Sequence, residues 1–404
     1  MPHPPERISA PRRASLDALL DYAWDAGIFT AGEAMPAVGL TRSTTIDALD
    51  ELVERGLIRE LPNAREVGDY SKGRPARRFE FCADAGIVVG LDAGRAHATT
   101  TVSDLSGEVL AREHLTLDDD SVAGRRAIMA RAVDAALAVA GRDRSDVIAL
   151  CAGVPAPVDA EGISPTHHEG FWQRMNPDLK DMFGAWVPLV RVENDASLAA
   201  VAEGSIGVAR GCRDYVTLLA GERLGAGVVV DGRLLRGAHG GVGEMIAFDQ
   251  VSGVGGAWGL GYRAAQWARE AIAAGELPPQ HPLAAVPVDD ISGRLVFELA
   301  AEGDAFALAI VDRVGQMLAQ VTGVFASLLD PRMIVISGAV SAGVADVLVA
   351  ARARLSDALH IPPPELVASQ LGGDIVSTGA VSAAIELARS GILALAPLDR
   401  TVAV

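Results

Sequence analysis

Gly237-Ala238-His239-Gly240-Gly241-Val242-Gly243-Glu244-Met245-Ile246-Ala247 decides how this chain is read. A glycine-rich stretch leads into a single carboxylate. A second such stretch, Gly253-Val254-Gly255-Gly256-Ala257-Trp258-Gly259-Leu260-Gly261, follows at once and holds no cysteine. Apolar runs at Tyr215–Gly221 and Gly225–Gly232 precede this region, and Met333–Gly338 follows it, each with the length and β-branched content of a buried strand. The same plan stands upstream. Ile87–Gly94, Ala98–Asp104 and Glu108–His114 predict three consecutive strands with turns at Gly94 and Gly107, followed by a helix over about 121–140 and a buried strand over Val147–Ala152. Two βββ-α-β-type halves around a cleft imply an α/β body, although the halves share no sequence identity.

At 404 residues the chain has room for two or three domains, each with its own core. Half the residues are hydrophobic while aromatics make up only 4%, which suits close helix–sheet packing. The net charge of −17 excludes a protein that binds nucleic acid over its whole surface. Residues 1–80 are nearly balanced, with 11 Lys/Arg against 13 Asp/Glu, so any DNA contact must be local and lie there. Cys82, Cys151 and Cys212 are widely spaced and indicate neither a disulfide framework nor a zinc site. No apolar run reaches the roughly 18 residues of a membrane span, and the Pro/Arg-rich start lacks a signal-peptide core. The expectation is a cytoplasmic protein without a membrane partner.

Residues 1–14 lack periodicity and are expected to form a flexible arm. Residues 15–82 follow the plan of a winged helix-turn-helix DNA-binding domain. Leu16, Leu19, Leu20, Ala23 and Trp24 mark a first helix closed by Gly27; Thr30 caps a short second one, with Pro36 late in it; Thr41 caps a third with the apolar stripe Ile46, Leu49, Leu52 and Val53. An extended segment from Leu57, a turn-rich stretch and a returning strand at Arg77–Phe81 complete a β-hairpin. Residues near the start of a recognition helix reach base edges. Thr41, Arg42, Ser43, Thr44 and Thr45 are therefore candidate DNA contacts, with Arg42 suited to guanine. Lys72, Arg74 and Arg77 belong to a run of four cations in seven residues, placed to meet phosphates from a wing. The plainer readings are a capped helix in a protein-interaction module and a solvated charge run.

The loop at 237–247 and its flanks resemble the signature of the ROK family of repressors, uncharacterised reading frames and sugar kinases. The resemblance runs from about 86 to 395. Val192-Glu193-Asn194-Asp195-Ala196 is close to the family's Glu-Asn-Asp-Ala-Asn motif, and Gly73-Arg74-Pro75 resembles the junction of ROK repressors. The block Val321–Pro331 with Ile334–Gly338 matches the family's helix–strand–glycine segment near adenine. The resemblance implies a winged helix-turn-helix followed by a two-lobed actin-like ATPase fold. In it Asn194 and Glu244 hold sugar hydroxyls, and Asp195 takes the proton from the attacking one. Asn194 also fits a helix N-cap, and both roles are compatible.

The departures point away from kinase chemistry. The family's Gly-Gly-Thr phosphate turn reads Ala93-Gly94-Arg95 here, and its Gly-Thr-Gly loop reads Gly221-Glu222-Arg223. An inward Glu222 would oppose phosphate, with Arg223 as its possible compensation. The family's one His and three Cys zinc ligands correspond to Ala247, Gly253, Gly255 and Leu260, so no metal is expected, and Tyr262 replaces a sugar-binding Glu. The implied protein is a DNA-binding transcriptional regulator, a repressor whose kinase-like domain senses a sugar or sugar phosphate. It would act as a homodimer or higher oligomer on double-stranded DNA, with no cofactor. The alternatives are a ROK sugar kinase with an N-terminal extension, and a regulator whose cleft is only a structural relic.

Overall fold

The computed structural model describes residues 10–62, 76–358 and 361–395. At the N-terminus, α1 (Ala10–Ala26), α2 (Ala31–Val38) and α3 (Arg42–Glu54) pack on a sheet of β1 (Ile28–Thr30), β2 (Ile58–Leu61) and β3 (Arg78–Phe81) in the antiparallel order β1-β3-β2. Local chemistry sets the helix ends. Thr30 and Glu33 form a reciprocal capping box, Gly39 closes α2 in the left-handed region, and Thr41 accepts from the Thr44 N–H at the head of α3. Leu16, Leu19, Leu20, Phe29, Leu49, Leu52, Ile58 and Phe79 fill the space between them.

Two expectations need correcting here. The arm expected over residues 1–14 is already helical from Ala10. Pro11 stands in the first turn, where its missing N–H costs nothing and its fixed φ suits a helix. The inward stripe of α3 is Thr45, Ala48, Leu49 and Leu52, turned from the expected one so that Ile46 and Val53 are only half-buried.

The body is two five-stranded sheets of one plan. The first, in the order β6-β5-β4-β7-β8, uses β4 (Ile87–Asp92), β5 (His97–Asp104), β6 (Val109–Thr116), β7 (Val147–Val154) and β8 (Leu189–Asn194). The second, in the order β11-β10-β9-β12-β13, uses β9 (Tyr215–Ala220), β10 (Leu224–Val230), β11 (Arg233–Leu235), β12 (Met333–Ser337) and β13 (Glu365–Ala368). In each, an antiparallel three-stranded meander is extended by two parallel strands. The repeat expected from the apolar runs is present, with β8, β11 and β13 as strands that the apolar runs did not mark. The connecting helices are α4 (Val122–Ala140), α5 (Phe171–Met175), α6 (Leu179–Gly184), α7 (Asp195–Ser205), α8 (Leu260–Ala273), α9 (Gly293–Ala301), α10 (Ala305–Leu329), α11 (Ala345–Ala358) and α12 (Ile375–Gly391). No helix among the described residues is long and apolar enough to cross a membrane.

Helices α7 and α12 lie between the sheets. A Cβ on Gly227 of β10 would stand 2.3 Å from the Ala196 carbonyl oxygen of α7, and one on Gly90 of β4 would stand 2.5 Å from the Ser377 carbonyl oxygen of α12. Only glycine permits either approach. The N-terminal core runs on without a break through Cys82, Ala85, Val88 and Leu105 to Ala380, Ala384 and Leu393.

Candidate functional site

On α3, Thr41, Arg42 and Ser43 are exposed and Thr44 is half-buried. Thr41 Oγ1 lies 3.2 Å from Ser43 Oγ and 2.8 Å from Thr44 Oγ1, so the cap orders a small hydroxyl cluster beside Arg42. Thr45 is different: it is 1% exposed and its Oγ1 donates to the Thr41 carbonyl at 2.9 Å, which takes it away from any base edge. Arg77 is not a loose wing cation either. It bridges Asp50 of α3 at 2.7 Å and Glu60 of β2 at 2.8 Å, with its guanidinium over Phe79, and those carboxylates hold its pKa above the usual arginine range. Glu51 is likewise paired, to Arg12 at 2.6 Å and Arg55 at 3.1 Å. Two of the four acids of α3, Asp50 and Glu51, are thus paired with arginines within the unit. Lys72 and Arg74 lie outside the described residues.

In the body, β8 ends at Asn194 and leads directly into Asp195, the first residue of α7. Asn194 caps α7: its Oδ1 accepts from the Ser197 N–H at 3.0 Å and its Nδ2 donates to the Ala156 carbonyl at 3.2 Å. One amide hydrogen and one lone pair remain for a ligand. Glu244 arrives on the glycine loop through a bridge to Gly225. Gly243 (φ 90°) and Gly240 (φ 69°) make that possible, because Cβ atoms there would stand 1.8 Å from the Ala226 oxygen and 2.0 Å from the Val158 oxygen. Since Val158 follows β7 and Ala226 lies in β10, the loop touches both lobes.

A third carboxylate joins the pair. Asp92, at the end of β4, is buried and shares a 3.1 Å hydrogen bond with His97. Burial, with the charges of Asp92 and Glu244 nearby, pushes Asp195 up to about 7. Glu244 is raised as well by burial, against the pull of Arg223. Asp92 holds His97 above its ordinary value, and His97 stacks on His114. Asp92 and His97 escaped the sequence reading. The only signal was an Asp at a strand end facing a glycine turn.

The neighbouring loops carry their own charge pairs. Arg95 Nη1 and Glu222 Oε1 are 2.7 Å apart, so the two substituted phosphate loops, one from each lobe, are joined by an ion pair across the cleft. Glu222 is compensated by Arg95 rather than by Arg223, which lies over Trp258 at 4.7 Å. Trp258 in turn stacks on Tyr262 at 4.4 Å. Behind the first loop, fully buried Arg125 donates to the carbonyls of Ala93 (3.3 Å), Gly94 (2.7 Å) and Arg95 (2.9 Å), and to Asp120 (3.0 Å). In the second glycine stretch Arg263, 7% exposed, donates to the Val254 carbonyl at 2.7 Å and the Gly255 carbonyl at 2.5 Å.

These residues do not fit zinc. Ala247, Gly253 and Gly255 offer no ligand atom, Leu260 belongs to the core, and a guanidinium shapes the loop. Among the described residues no group of three or more His, Cys, Asp or Glu is placed to hold a metal ion.

The ROK family profile matches residues 88–386. The chain belongs to the ROK family. It is 28% identical over 300 residues to the DNA-binding transcriptional dual regulator NagC of Escherichia coli K12, spanning 72% of each chain. Among solved structures, a ROK family transcriptional regulator described as a homologue of the E. coli MLC protein superposes with a TM-score of 0.75 at 20% identity, covering 96% of this chain and 98% of that one. A ROK family glucokinase from Streptomyces griseus, in complex with glucose and AMPPNP, superposes with a TM-score of 0.61 at 26% identity, over 74% of this chain and all of that one. This ROK chain therefore has relatives of both kinds, a DNA-binding regulator and a sugar kinase.

Proposed function

We propose that this chain is a sequence-specific DNA-binding transcriptional regulator, a cytoplasmic repressor in which residues 15–82 form a winged helix-turn-helix and residues 86–395 a sugar-sensing ROK body. The observation that supports this reading is the Arg95–Glu222 ion pair, which joins the two loops that the family resemblance matches to phosphate loops, while the carboxylates of Asp195 and Glu244 are kept. A body so arranged binds a polyhydroxylated ligand through Asn194, Asp195 and Glu244 and has no phosphoryl donor to use. The effector is a sugar or sugar phosphate. Thr41, Arg42 and Ser43, with half-buried Thr44 beside them, form the head of the recognition helix, and Lys72 and Arg74 are its further DNA-contacting cations. A two-fold operator requires recognition helices about 34–36 Å apart, which calls for a homodimer built on the bodies.

The test starts by selecting duplexes from a random pool with the full chain, alongside a thermal-shift screen of glucose, N-acetylglucosamine, xylose and their phosphates. Arg42→Ala should weaken the selected duplex by about 1–3 kcal/mol and relax one base position. Unchanged duplex affinity after deletion of residues 1–80 would sink the assignment. Asp195, held at about 7, favours the kinase as second reading, because a base near the working pH suits proton abstraction. ADP release that needs both a sugar and Asp195 would promote that reading.

A further inference from the structure

One helix touches both the cleft and the N-terminal unit. A Cβ on Gly379 of α12 would stand 1.9 Å from the Leu198 carbonyl oxygen of α7, so the two backbones are in direct contact. Leu198 is one turn beyond Asp195. Helix α12 also lies against β4, whose last residue is Asp92. The pair α7–α12 thus sits where the lobes meet, α7 pressed to the second sheet through Gly227 and α12 to the first through Gly90. Close-packed backbones of this kind transmit displacement, since at each contact a glycine meets the facing carbonyl with no side chain between them.

Ten residues further along α12, about 15 Å at the helical rise, stands Arg389. Its Nε donates to Asp21 Oδ1 at 2.5 Å and its Nη2 to the Asp21 carbonyl at 2.9 Å and Asp25 Oδ2 at 2.7 Å, all on α1. The guanidinium also lies 5.8 Å from the Trp24 ring, which packs on Phe81 at 4.3 Å. Just past the end of α12, the Leu393 carbonyl accepts from Arg55 at 3.5 Å, and Arg55 caps α3. An open groove of about 610 Å³ between α1, α2 and α12, lined by Ala18, Tyr22, Val38 and Arg389 among others, leaves room for these elements to shift.

We propose that α12 links the cleft to the DNA-binding unit and that Arg389 is its coupling residue: lobe movement that displaces α7 is carried along α12 and handed to α1 through Asp21 and Asp25. The proposal rests on the regulator reading above. It also goes beyond that reading, since a regulator with an uncoupled cleft would still bind both DNA and ligand. By reciprocity, DNA held at α3 must alter the cleft end of the same route.

Hydrogen exchange on the full chain, with and without its selected duplex, tests this without knowledge of the natural effector. In the parent protein the duplex should change exchange in residues 195–205 and 375–391. In Arg389→Ala the duplex still binds and that change is lost. Arg389→Lys, which keeps the charge with fewer donors, should restore part of it, and Asp25→Asn should reduce it should Arg389→Ala fold poorly. An Arg389→Ala protein that transmits like the parent overturns the proposal, and so does a parent whose bound duplex leaves residues 195–205 unchanged. A parent that selects no duplex removes the regulator reading and the coupling with it.

Discussion

The two halves of the cleft differ in how their charges are satisfied. On the phosphate side, Arg95 answers Glu222 across the lobes, and Arg125 and Arg263 each hold a turn of backbone carbonyls from behind. On the sugar side, burial together with the charges of Asp92 and Glu244 pushes the Asp195 carboxyl to about 7, and Asp92 has His97 as its hydrogen-bond partner. On the phosphate side these charges are satisfied within the chain. A half with carboxylates left over offers acceptors to any molecule bearing hydroxyl donors. The shared fold of regulators and kinases is compatible with both, and the side chains divide them.

The largest expected effect comes from breaking the self-satisfied half. Arg125→Met should destabilise the chain by about 3–5 kcal/mol, because a buried guanidinium leaves three carbonyls and Asp120 without their donor. Arg263→Met should cost about 3 kcal/mol on the same grounds. Denaturant titration of each variant measures this. A loss below about 1 kcal/mol in both would mean that the loops hold their shape without these arginines, and the contrast between the halves would dissolve.

What was legible in the sequence follows from the range of the interactions. Thr30 and Thr41 act over a few residues, so these caps could be read directly. The strand repeat was readable because period and apolarity are local as well. The Arg95–Glu222 pair joins residues 127 apart and exists only once two lobes meet, so Arg223, the neighbour in sequence, was the natural but mistaken partner. Arg77 misled in the same way: a cation in a basic run gives no hint of Asp50, 27 residues earlier. Arg125 was readable in principle, since it shares a helix face with Ile128, Met129 and Ala132, where a charge must have buried partners. The arm was expected to reach residue 14 because residues 1–14 lack apolar periodicity, a signal that does not register the fitness of Pro11 for a first helical turn.

A smaller effect sharpens the sugar side. Asp195 keeps its proton to about pH 7 against an ordinary 3.8, so the folded chain holds a proton that the unfolded chain releases between those values. Its contribution to stability therefore falls as pH rises through that window. Ligand binding has the opposite sign, because a sugar hydroxyl donates to the ionised carboxylate. Calorimetric titration of the sugar chosen by the thermal screen should show affinity rising up to about tenfold per pH unit below 7 and levelling above it. Asp195→Asn should flatten the profile. A profile already flat in the parent would take Asp195 out of the ligand site.

The smallest effect belongs to the ion pair that separates the two halves. Arg95 and Glu222 are 61% and 56% exposed, and pairs that open to water contribute about 0.2–1 kcal/mol, less as salt is added. Glu222→Gln should therefore lower stability by under about 1 kcal/mol, with the difference fading at high ionic strength, as thermal unfolding across a salt series would record. The pair therefore adds almost nothing to the fold. A loss above about 2 kcal/mol would give it another role. It would then be holding the lobes together, and the phosphate half could no longer be treated as independent of the sugar half.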